Sequence, residues 1–187
     1  MRKMAIISVA LSSLLLSGCL GIASITGSTS GIKAIDGYTV HDGGSFKILV
    51  PIGWEVSAAP NVLVAFRDNV RNPSFTANVV VVKNTLPGEA TTLDYAKVLY
   101  EKIKNSLSSF KEGAQDATQL RVDGVATDTI FTDVQGREGP DRDLKRFMHL
   151  SGVSGTTAYV VAGSMLVGEG EATAKKMETM IRSFEVE

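Results

Sequence analysis

The sequence predicts an α+β fold, an α/β/α sandwich with a mostly antiparallel sheet flanked by helices. Three observations carry that expectation. Short apolar runs recur along residues 46–166 with turn residues between them, and links that short force antiparallel pairing, because a parallel link needs a dozen or more residues. Two stretches carry apolar side chains at helical spacing. Each helix then has one stripe to bury, and opposite faces of a sheet are the available places.

Taken in order, Phe46 to Val50 is an apolar run stopped by Pro51 and the Gly53-Trp54 corner. Val62 to Phe66 reads as a short strand. Ser74 to Lys83, with four consecutive valines, is the strongest strand signal, and its two apolar faces predict cover on both sides. Thr91 and Asp94 fit a capping box at a helix start. Leu93, Ala96, Tyr100, Ile103, Leu107 and Phe110 then form one stripe, with Lys111 and Gly113 as the expected stop. Leu120 to Val122 and Val125 to Phe131 flank Asp123-Gly124, a two-residue hairpin signal. Leu144 to Leu150 follows the loop QGREGPD, and Ala158 to Leu166 follows a turn at Ser154-Gly155. Ala174, Met177, Ile181 and Phe184 mark a C-terminal helix.

The N-terminus reads as a targeting segment. Arg2 and Lys3 precede the apolar run Ala5 to Leu16, which is too short to span a bilayer and has the proportions of a secretory signal. The run ends Leu16-Ser17-Gly18-Cys19, which resembles a bacterial lipobox. The resemblance implies cleavage between Gly18 and Cys19 and a diacylglyceryl group on the Cys19 sulfur. Residues 1–18 are then the signal peptide, 19–37 the lipidated cysteine with a flexible tether, and 38–187 the globular domain. The tether is rich in Gly, Ser and Thr, with an r.m.s. reach on the order of 20–25 Å. Two or more acyl chains make a stable anchor where one does not. With Cys19 acylated, no thiol remains for a disulfide, a metal or catalysis. Leu20, where an aspartate tends to retain lipoproteins at the inner membrane, fits an outer membrane facing the periplasm in a Gram-negative host.

Without Arg2 and Lys3 the chain keeps 17 basic residues against 20 acidic, a net charge of about −3. That excludes a basic nucleic-acid footprint. Little else in the sequence points to catalysis. His41 and His149 are the two histidines. The nearby serine lies in GVSG, residues 152–155, which is not the G-x-S-x-G elbow of hydrolases, so a structural histidine is expected at 149. Two isolated histidines do not make a zinc site, and Asp141-Arg142-Asp143 stops short of a calcium loop. The stretch GSMLVGEGEATAKK, residues 163–176, lacks the Lys-Ser/Thr of a phosphate loop. It places Glu169 and Glu171 at a helix start, where acidic residues suit the dipole. No catalytic residue, metal or cofactor is expected. Trp54, the sole tryptophan, is a core plug or the wall of a shallow cleft. The loop from Gln135 to Arg146, with Arg137, Arg142, Lys145 and Arg146, is a solvated hairpin or a docking surface.

The order of these pieces resembles the PsbP-like group, which includes the P extrinsic subunit of photosystem II, small bacterial lipoproteins and a nuclear Ran-binding import factor. The resemblance is carried by FKILVPIGWE, NPSFTANVVVVKN, TTLDYAKVLYEKIKNSLSSF, RVDGVATDTIF and the ending MIRSFEVE. It implies the same α/β/α sandwich and a non-enzymatic assembly, docking or accessory role. The expected function is therefore a membrane-anchored, non-catalytic envelope lipoprotein that binds an envelope protein or assists assembly. Its expected partners are the bilayer, through acylated Cys19, and an envelope protein. The alternative is a small-molecule or metal-binding accessory lipoprotein with a cleft near Trp54.

Overall fold

The structure is a computed structural model, and it describes residues 31–187. The expected signal peptide, cleavage junction at Gly18–Cys19, lipidation at Cys19 and tether up to residue 30 lie outside the described residues. Ten strands and two helices follow in the order β1 (Tyr38–Asp42), β2 (Phe46–Pro51), β3 (Glu55–Ser57), β4 (Val64–Arg67), β5 (Asn78–Thr85), α1 (Thr92–Ser106), β6 (Ser108–Val122), β7 (Val125–Arg137), β8 (Lys145–Ser154), β9 (Thr157–Leu166), α2 (Glu171–Arg182) and β10 (Glu185–Val186). All ten strands form one sheet in the order β1-β2-β10-β6-β7-β8-β9-β5-β4-β3. Every pairing is antiparallel except β10 with β6, which is parallel. This is the α+β fold that the sequence predicts.

The helices cover opposite faces. Phe147 and Met148 are consecutive on β8 and so point to opposite sides. Phe147 clusters with Tyr100 and Val134 under α1, while Met148 joins Met177, Met180 and Ile181 of α2. Thr92 ties the start of α1 to the sheet, its buried hydroxyl accepting from the Val153 N–H at 2.9 Å. Opposite Met148, Gly163 leaves the room α2 needs: a Cβ there would lie 2.5 Å from Met177 Cε and 3.0 Å from Ile181 Cδ1.

The sheet is strongly curled. The short corner from Pro51 to Trp54 joins β2, second in the sheet, to β3, the last strand of ten. The two ends of the sheet must therefore meet. His41 on β1 contacts Phe66 on β4 edge-to-face, with ring centroids 5.1 Å apart, and so bridges that seam. These side chains belong to the α2 face, which is the inside of the curl.

Several elements differ from the expectation. The first helix ends at Ser106, not near Lys111. Leu107 is already extended, and Ser109 adopts φ +52°; at the helix end Ser106 Oγ donates to the Ile103 carbonyl at 2.8 Å, a side chain competing for a backbone group. Leu107 and Phe110 still cover Tyr100, but from the helix cap and from β6. The expected three-residue strand at Leu120 is the end of a 15-residue strand. Its polar, largely exposed first ten residues hide it from hydrophobic periodicity. Gln135 to Arg137 and Lys145 to Arg146 are strand residues, so the charged loop shrinks to 138–144. The hairpin at Asp123-Gly124 forms as expected, with φ +50° and +79° at its two turn residues, the pattern of a type I′ turn. On β5, Val79 and Val81 are fully buried, while Val80 and Val82 are half-buried. That strand is sealed on one face and only partly covered on the other. β1, β3 and β10 are additions that short or polar strands do not announce.

Candidate docking site

The sheet has a breach in its middle. β10 is two residues long, so it joins β2 to β6 only at one end: Val186 pairs with Val122 and Phe46, and Glu185 with Lys47. Beyond that apex β2 and β6 diverge, and the last turn of α2 floors the gap. Ser183 Oγ accepts from the Leu49 N–H at 2.8 Å and donates to the Met180 carbonyl at 2.6 Å. Residues 31–35 form the outer wall. A slot of about 450 Å³ remains, with Ile32, Ile35, Leu49, Leu120, Ala126 and Phe184 among its lining and Arg121, Arg182 and Glu185 at its margins. Glu185 is part-buried, and burial pushes its carboxyl above the usual range, against the pull of Arg121 and of the Gly31 N–H.

One rim of this slot is an unpaired strand edge. The Asp123 N–H donates to the Val186 carbonyl at 3.0 Å. Backbone groups of odd-numbered residues near the end of β6 therefore face away from β7, because both polar groups of a strand residue point to one side. Among the described residues, nothing pairs with that outer edge before β10. The first half of β6 is protected as edge strands commonly are. It carries Lys111 and Glu112, and its register shifts between Ser108 and Lys111 and again between Glu112 and Gln115. At the second irregularity, Gly113 lies so close to β7 that an added Cβ would sit 2.2 Å from the Asp133 carbonyl oxygen. From Gln115 to Val122 the register runs without a shift. Ala117 and Gln119 are exposed there, and Gln119 lines the slot. A regular open edge next to an apolar slot can accept an extended peptide, with main-chain bonds for affinity and a side-chain pocket for specificity.

The residues singled out in the sequence lie elsewhere. Trp54 is 7% exposed and belongs to the core with Val64, Phe66 and Val50; its Nε1 is sealed without a partner. Arg137 donates to the Arg142 carbonyl inside the loop, and Arg142 is exposed. Arg146 points to the α2 face, where its guanidinium holds Asp133 with bonds of 2.7 to 3.0 Å and reaches Glu171 at 3.6 Å. The Asp133 carboxylate holds it more firmly protonated. Lys145 is buried, paired with Glu138 at 2.6 Å, its ammonium 3.8 Å from the centroid of Phe75. Arg146 and Lys145 therefore serve the domain's own packing.

His149 lies under α1 beside Phe147, with Nδ1 sealed and unpartnered. Burial lowers its pKa to about 4. His41 sits on the other face of the sheet at the seam, so the two histidines share no site. Glu169 accepts from the Leu166 N–H at 3.1 Å in the turn before α2, and Glu171 occupies the first helical turn. Among the described residues, no group of three His, Cys, Asp or Glu is placed to hold a metal, and no helix is long and apolar enough to cross a membrane. The sequence does not show the open edge, because it is a matter of pairing: only the shortness of β10 exposes it.

No protein-family model matches the chain, and no curated protein matches it. Solved structures do. Cyanobacterial PsbP (CyanoP) from Synechocystis is 16% identical, with a TM-score of 0.53 over 92% of this chain and 99% of that one. LpqN of Mycobacterium tuberculosis, described as involved in cell envelope biogenesis, is 15% identical, with a TM-score of 0.53 over 80% of this chain and 90% of its own. The Ran-binding protein Mog1p of Saccharomyces cerevisiae is 11% identical, with a TM-score of 0.53 over 80% and 95% of the two chains. The chain also spans about half (48%) of a longer Bacteroides thetaiotaomicron chain, at 16% identity and a TM-score of 0.46. At these identities the likeness is one of fold: the protein shares the α+β architecture of these three structures.

Proposed function

We propose that this protein is a lipid-anchored, non-catalytic module of the cell envelope that docks an extended segment of a partner protein on the open edge of β6. The observation that carries this reading is the unshifted stretch Gln115 to Val122, unpaired on its outer side and flanked by an apolar slot. Strand addition satisfies donors and acceptors that otherwise face only water, and an apolar side chain entering the slot sets the register. The lipobox-like Leu16-Ser17-Gly18-Cys19 supports an anchor at Cys19, which raises the effective concentration of the module at the membrane. The described binding role of Mog1p and the described envelope role of LpqN support an accessory task rather than a catalytic one.

The test is photo-crosslinking in cells from a reactive group at position 119, with and without Ala117→Pro. The Ala117 N–H faces outward, so proline removes one docking donor and leaves the β7 ladder intact. A partner band that forms from position 119 and disappears with Ala117→Pro is the expected result. A band insensitive to that substitution, or equal crosslinking from Lys102 on the exposed side of α1, contradicts the reading.

A further inference from the structure

Val70 and Ile52 are the two most exposed large hydrophobic residues among those described, at 73% and 70%. Single exposed apolar residues are ordinary, but these two sit on adjoining loop tips. Asn69 packs against Gly53, so close that an added Cβ on the glycine would lie 3.1 Å from Asn69 Nδ2. Arg71 grips both carboxylate oxygens of Glu55, at 3.0 and 3.1 Å. Each tip is also fixed from within. The Ile52 N–H donates to the Gly37 carbonyl at 2.8 Å, and the Asp68 carboxylate accepts from the Val70 N–H at 3.1 Å. Exposed apolar side chains are thus carried on fixed turns, with the exposed Arg67 three residues before Val70 and Arg71 next to it.

Their position relative to the start of the domain says what they meet. The Ile52–Gly37 bond places this tip where the N-terminal segment joins β1. That segment runs back to Gly31, which lies against Arg121 and Glu185. Glu185 pairs with Lys47, and Lys47 is five residues from Ile52 along β2. At 3.3 Å per residue the tip is thus about 16 Å from that point. Gly31 follows Cys19 by twelve residues, which span at most about 43 Å at full extension, so the anchor and the tip can meet the same leaflet. We infer that the paired tips Ile52 and Val70 are a membrane-contact site, which inserts into the headgroup boundary of the bilayer and orients the anchored domain. This rests on the anchor at Cys19 proposed above. Arg71 is held by Glu55, but the exposed Arg67 has a stem long enough to keep its charge at a lipid phosphate while the tips insert.

The experiment uses the full mature chain purified from its native envelope and reconstituted into phosphatidylethanolamine–phosphatidylglycerol vesicles. Ile52→Cys, Val70→Cys and, as a control on α1, Val98→Cys are each spin-labelled. All three sites are at least 66% exposed, so the label displaces little packing. The result expected is preferential collision with oxygen at positions 52 and 70, several-fold above that with a water-soluble nickel reagent, and the reverse at 98. An aqueous signature at 52 and 70 overturns the inference. One label per chain shows that Cys19 is blocked, so that failure belongs to the contact alone. Two labels per chain with aqueous tips sinks the anchor as well. Lipid-exposed tips support the contact whichever count is found.

Discussion

At the residue scale, the core is decided by a few side chains and one missing one. Gly163 seats α2, because Met177, Ile181 and Val79 converge on the place its side chain would fill. Gly163→Val is expected to destabilise the fold by about 1–3 kcal/mol in urea unfolding, since an overpacked core must shift; stability equal to the parent would show that α2 can move aside freely. His149 makes the pH prediction. Its pKa is about 4 in the folded protein against an ordinary 6.5, lowered by burial. The group is neutral in the native state, so its contribution is fully present above pH 6.5. It is lost as pH falls from 6.5 to 4, because the unfolded chain takes up a proton that the native one refuses. The loss is at most on the order of 3 kcal/mol. His149→Leu is expected to flatten that part of the stability profile. The sequence shows His149 on an alternating strand and Gly163 as a plain glycine. It shows neither the sealed Nδ1 nor the methionine above the glycine, because both depend on which helix lands on which face.

At the element scale, the parts with strong periodicity or definite turn chemistry are legible in the sequence. The four valines, the Thr91 cap, the Asp123-Gly124 turn and the α2 stripe of Ala174, Met177 and Ile181 lie where expected, while Phe184 joins the core from beyond the helix end. The parts that escape are polar or very short. β6 was hidden because Lys111 to Ala117 offers no alternation, and it is a strand only because β7 pairs with it. Its two sides make a contrast that tests the assigned edge. Ala117→Pro is expected to change stability by less than about 1 kcal/mol, because its N–H faces outward. Thr118→Pro, whose N–H faces β7, is expected to cost more, about 1–3 kcal/mol, because it breaks a ladder bond and leaves its β7 acceptor unpaired. Equal costs in denaturant unfolding would mean that the edge is assigned to the wrong residues.

At the scale of the whole molecule, one arrangement organises the rest: a sheet curled until its ends meet at Trp54, with a breach where β10 is too short to bridge β2 and β6. Composition and strand order lead to the layered architecture, but not to the curl, which comes from the corner at Pro51 to Trp54. Nor do they lead to the breach, which comes from the two-residue length of β10. The most direct measurement of the central claim is residue-resolved amide hydrogen exchange on the protein, isolated and then in complex with the partner captured through position 119. The amides of Ala117 and Gln119 are predicted to exchange quickly alone and to become protected in the complex, while Thr118 and Leu120 are protected in both. Ala117 and Gln119 amides that stay fast in the complex would contradict strand addition on β6.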